Sequence, residues 1–319
     1  MEASVKRYYA SFYQHDFSKA IATLLKARPR TPAGRKLKSD CRLRFGPEKD
    51  LGKIKTKDAF ACAIVASFRV YWQKVLLGEL SHREGEDLLF EMCRVALVSA
   101  GHKKVIPTSD SCIPLLRKEL SKRGFFHNIG KTLPFWCLYL WQKQWEKTYS
   151  IRLPLAQQEL TVVFMDSFVE LGWMHFGTFA KASTGGWADE KAIHCVKSLY
   201  RLNSEAFRVA YLTHEAQHYQ DYANFPKLQQ LDLEYRAKLA EILASSDPVK
   251  KVAHFAQEAV DNPNNPHGYS SFLILRALGK KKRVGKALKL AARNVFDDHT
   301  VRLGVAGAKK VLSVLSGVF

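Results

Sequence analysis

The chain has 319 residues, long for one ordinary domain and comfortable for two, and its 47% hydrophobic and 25% charged residues are globular proportions. That composition excludes a disordered chain, a collagen-like fibre and a disulfide-dense mini-protein. The formal net charge of +20 points to polyanion affinity without specifying a fold.

The first half reads as helices. Residues 5–27 carry apolar positions at helical spacing with no internal proline. Residues 27–52, rich in proline, glycine and basic side chains, are expected to interrupt regular structure. From Asp58 to about Ala100 the helical pattern returns, with Ala59, Cys62, Ala63, Ala66 and Val70 near one face. The longest clean apolar stretch, Leu133 to Trp141, is far too short to cross a bilayer. The N-terminal residues lack an apolar core, so no secretory signal is expected. Six cysteines, none in a CxxC pair, lie in segments that read as core, which fits a reducing, cytoplasmic setting.

The character changes near residue 150. Leu160 to Met165 is a β-rich run, VELGWMHFGTFA (169–180) reads as a further strand, TGGWADE (184–190) as a turn, and AIHCV (192–196) as another strand. A long helix is predicted from Asn203 or Ser204 to the NFP that ends it, followed by a second at about 227–245, a third over 249–260 and two more beyond the turn-rich DNPNNPHG. The expected fold class is α+β: a helical accessory region over 1–150 and a second domain over 151–319, with the junction near 145–158.

The predicted long helix holds His214-Glu215-Ala216-Gln217-His218. Residues four apart on a helix share a face, so two imidazoles so placed can hold one Zn²⁺ at about 2.0–2.1 Å each. Glu215 points off that line and can take a proton from a water that the metal activates. A catalytic zinc needs a third protein ligand and one open position. Glu234, sixteen residues past His218 on the next predicted helix and at the edge of its apolar stripe, is the candidate. Asp221 and Glu241 are rivals; Asp221 could also fix an imidazole tautomer, and Glu234 could instead pair with Lys238 on a solvated face.

His214 to His218 followed by Glu234-Tyr235-Arg236-Ala237 resembles the zincin metallopeptidases in their glutamate-ligand arrangement. The resemblance covers about 160–245. It implies a small sheet ahead of the metal helix, an edge strand within 168–196 that aligns a peptide or protein substrate, and peptide-bond hydrolysis. The HExxHxxGxxH extension is absent, with Asp221 and Asn224 at those positions, so no single family is indicated.

Donors for a developing oxyanion are sought in His267, Tyr235 and Tyr269, with His267 preferred as a catalytic residue. His175 could approach the metal cleft, although a packed strand histidine is the simpler reading. His194 and Cys195 are adjacent on a strand and cannot act together. Between Asp261 and Asp297 there is no acidic residue, and GKKKRVGKALKLAAR (279–293) is a candidate surface for nucleic acid or an anionic membrane, or else a solvated face. The alternative function is a basic nucleic-acid or partner-binding protein with a structural or inactive metal site.

Overall fold

The computed structural model describes residues 3–13, 15–188, 192–279 and 284–315. It is an α+β fold in which helices precede the sheet. Two compact units are built from interleaved stretches of chain: residues 1–145 with 165–185, and residues 146–164 with 186–319. Residues 146–164 thus fall in the second unit and residues 165–185 in the first.

In the first unit, α1 (Ala3–Tyr13) and α2 (Phe17–Lys26) share the expected helical tract, broken at His15, whose φ of 62° leaves the right-handed region. Phe17, Ala20, Ile21 and Leu24 of α2 form its buried stripe. The expected break over 27–52 is overturned in part, because α3 spans Pro32–Phe45. Thr31 caps it by accepting from the Gly34 N–H, and Pro32 sits in the first turn, where its missing N–H costs nothing. α4 (Ala59–Leu76) and α5 (His82–Ser99) start at the Asp58 cap and at a Ser81/Glu84 capping box. They pack at Gly85, where a Cβ would lie 2.4 Å from Val75 Cγ2. α6 (Ser109–Lys122) completes the helical half.

β1 (Phe126–Thr132) pairs antiparallel with β2 (Phe135–Arg152), from Phe126 opposite Trp141 to Thr132 opposite Phe135. β3 is Gln157–Leu171. The junction expected at 145–158 is thus mostly strand. The segment after Leu171 is also not the expected strand: at Gly172 (φ 83°) the chain leaves the sheet and forms α7, Gly172–Gly177, burying Trp173 and Phe176. A Cβ at Gly172 would meet Cys137 Sγ at 2.5 Å.

In the second unit, β4 (Gly186–Ala188), expected as a turn, pairs antiparallel with β5 (Ile193–Val196). The strand order is β1-β2-β3-β5-β4, so β4 lies at an edge. The helices that follow are α8 (Glu205–Phe207), a π-helical stretch Arg208–Thr213, α9 (His214–Asn224), α10 (Gln230–Ala244), α11 (Pro248–Glu258), α12 (Pro266–Leu278) and α13 (Gly285–Val305). Lys280 to Arg283 of the basic segment lie outside the described residues. Among the described residues no helix is long and apolar enough to cross a membrane.

Candidate metal centre

Ser204 starts the helical run by accepting from the Phe207 N–H. Phe207, Tyr211, Leu212 and Ala216 then pack on Leu160, Val162 and Phe164 of β3 and on Ile193 and Cys195 of β5. The π-helical stretch falls immediately before His214. Such stretches widen the turn and recur at functional sites. With one side of α9 fixed on the sheet, His214 and His218 present their rings to α10, which returns after the Phe225 turn.

α10 brings Glu234 to both rings. The two Nε2 atoms are 3.0 Å apart, His214 Nε2 is 3.6 Å from Glu234 Oε2, and His218 Nε2 is 3.6 Å from Glu234 Oε1. The two rings thus face different oxygens of the carboxylate, and one ligand atom from each of the three residues lies within 4.8 Å of the others. Donors placed tetrahedrally about 2.0–2.1 Å from a zinc ion would stand about 3.3–3.4 Å apart. Glu234 Oε2 is buried with no hydrogen-bond partner among the described residues. Glu234 Oε1 also accepts from Gln230 at 3.0 Å. Two ring nitrogens and a carboxylate oxygen converging in this way are a donor set that could hold a metal ion.

The surroundings favour positive charge at this point. Burial pushes the His214 imidazole down, but the Glu234 and Glu241 carboxylates outweigh it and raise the group to about 10. Burial opposes ionisation of Glu234, yet the His214 and His218 rings hold it far below the usual carboxylate range. A proton or a metal ion can supply that charge.

Glu241, weighed above as a ligand, instead accepts from His214 Nδ1 at 2.8 Å while Lys251 donates to its other oxygen at 2.8 Å. This leaves His214 Nε2 facing His218 and Glu234. Asp221, the other rival, faces away: its Oδ1 accepts from Gln217 at 2.9 Å and from the Arg236 guanidinium at 2.8 Å. Burial raises the Asp221 pKa, with Arg236 opposing. Glu234 does not pair with Lys238 on a solvated face. Lys238 is 1% exposed and donates to Glu258, Ser271 and His267 Nδ1.

That last contact orients His267. Because an ammonium can only donate, Nδ1 of the neutral ring accepts and the ring proton sits on Nε2, which lies 3.9 Å from Glu234 Oε2. Burial and the Lys238 charge lower the His267 pKa. Glu215 lines the same cavity as His214, His218 and Glu234, a space of about 750 Å³ that is also lined by Ala188 of β4, Tyr219 and Tyr222. That volume suits a ligand of several residues' side-chain bulk. Sequence reasoning passed over Tyr222, although it follows His218 by four positions on the same helix face. Lys251 left no sequence signal, since only the return of α11 brings it to Glu241.

The remaining candidates lie elsewhere. Tyr235 packs against His299 and Tyr269 stacks on Phe272 within the core of the second unit. His175 belongs to α7 of the first unit. His194 stacks on Trp187 while Cys195 is buried, as alternation along a strand requires. No protein-family model, no curated protein and no solved structure matches the chain.

Proposed function

We propose that this protein is a zinc-dependent peptidase, with His214, His218 and Glu234 as metal ligands, Glu215 as general base and His267 as oxyanion donor. The observation that carries the proposal is the triangle of converging donor atoms beside Glu215 in one cavity. A zinc ion held there supplies Lewis acidity, bringing the pKa of water to about 7 and polarising a carbonyl.

The protein groups account for the rest of the chemistry. Glu215 accepts the proton of the attacking water and returns it to the leaving amine. His267, held with its proton on Nε2 by Lys238, donates where negative charge develops on the carbonyl oxygen. β4 is an edge strand, and Ala188 lines the cavity. An extended peptide can add to such an edge by backbone hydrogen bonds, which favours a peptide over other electrophiles. The glutamate-ligand zincin arrangement suggested by the sequence is part of this reading.

The test is hydrolysis of a quenched-fluorescent peptide library. Turnover should vanish on chelation and return with zinc, and Glu215→Gln should lower it by about 10²–10⁴-fold. Turnover that survives chelation, or that Glu215→Gln leaves intact, would overturn the assignment.

A further inference from the structure

The metal centre is built within the second unit, but the densest positive charge of the described residues belongs to the first. Between Lys26 and Lys57 there are twelve lysines and arginines against Asp40, Glu48 and Asp50. Two of the three acids are already engaged: Asp40 pairs with Lys36, and Asp50 accepts from the Gly52 N–H. Among the described residues Arg28, Arg42, Lys53 and Lys57 make no ion pair.

The backbone that carries these charges is held in place. α3 buries Gly34, Leu37, Cys41 and Phe45 and exposes Arg35, Lys36, Ser39 and Arg42, the two sets lying on opposite faces. The chain on either side is bonded to the helix. Lys38 Nζ donates to Ala27 O, and Arg35 to Arg30 O. The Asp50 N–H donates to Leu43 O at 2.9 Å, and Arg69 holds the carbonyls of Leu51, Gly52 and Lys53 at 3.0–3.2 Å. The result is a preformed basic ridge about 21 Å long, from fourteen residues at about 1.5 Å each.

We propose that this ridge binds double-stranded nucleic acid through the phosphate backbone. The chemistry selects that partner. Membrane insertion needs exposed apolar side chains, and the apolar side of α3 is spent on the core, leaving Leu43 as its exposed large hydrophobic residue. Binding of single strands relies on aromatic stacking, and the one aromatic residue of the tract, Phe45, is buried. A rigid cationic helix face suits a duplex groove and its flanking phosphates.

The experiment is fluorescence anisotropy with a labelled 24-base-pair DNA duplex and the full-length protein, from 50 to 200 mM salt. With about six phosphate contacts, affinity should fall about 10³-fold across that range. Arg35→Gln/Lys36→Gln/Arg42→Gln should weaken binding about tenfold or more and flatten the salt slope by about two to three. All three side chains are exposed, and an unchanged circular dichroism melt confirms that the variant is folded. Changing Lys280, Lys281, Lys282 and Arg283 to Gln should leave binding as in wild type, as should Glu215→Gln. Several results would overturn the proposal: no duplex binding, equal binding by the α3 variant, loss only in the 280–283 variant, or preference for phosphatidylserine vesicles or polyglutamate over the duplex.

Discussion

His214 Nδ1 lies 2.8 Å from Glu241 Oε1, and the same carboxylate is held by Lys251 at 2.8 Å. This contact holds a proton on Nδ1 of His214 and turns Nε2 toward His218 and Glu234. Glu241→Gln keeps an acceptor but loses the charge that strengthens the imidazole as a donor. Zinc affinity, measured by competition with a chromophoric chelator, should fall about 10–100-fold while one site per chain is retained. Unchanged affinity would show that Glu241 does not tune the site.

Arg236 and Asp221 form an ion pair in which both side chains are fully buried, with the guanidinium also 4.2 Å from the Phe296 ring centroid. Arg236→Met leaves the Asp221 carboxylate buried and uncompensated. Urea denaturation should show a loss of about 3–5 kcal/mol. Adding Asp221→Asn should recover part of it, since the stranded charge is then gone.

His175 gives the first unit a specific pH response. Burial, followed by the charges of Lys55, Arg69 and Arg44, lowers its pKa from 6.5 to about 4. The folded state thus binds the proton less readily than the unfolded state. Its stabilising contribution is complete above about pH 6.5 and is lost as pH falls toward about 4. The wild type should lose more of its urea midpoint between pH 7 and pH 4 than His175→Gln does, and parallel profiles would contradict this.

His267 separates catalysis from metal binding. His267→Ala should lower kcat about 10²–10³-fold with zinc content unchanged. Lys238→Met should act in the same direction, because it removes the donor that keeps the His267 proton on Nε2. A drop in KM alone, with kcat intact, would contradict the donor role.

The sequence made part of the site legible because of one local rule: His214 and His218 are four apart on a helix and must share a face. Glu234 was readable as a candidate from its spacing past His218, its place at the edge of an apolar stripe and the zincin resemblance, and the return of α10 brings it to the rings. The roles of Glu241 and Asp221 were not readable, since both lie near the right face and only tertiary packing turns one to His214 and the other to Arg236. In the fold, α3 was hidden because Pro32 and Gly34 resemble helix breakers, whereas behind Thr31 they open a helix. α7 was hidden by its aromatic content, which suits a strand until Gly172 takes the backbone to positive φ. β4 was hidden because its glycine-rich sequence suits a turn.

The most direct test is metal content by plasma mass spectrometry, on protein purified without chelator or histidine tag, beside His218→Ala, Glu234→Ala and Glu215→Gln. One zinc per chain is expected in the wild type and in Glu215→Gln, with loss in His218→Ala and Glu234→Ala. A wild-type protein that holds no metal even after incubation with zinc, or zinc that survives both ligand substitutions, would contradict the His214–His218–Glu234 centre.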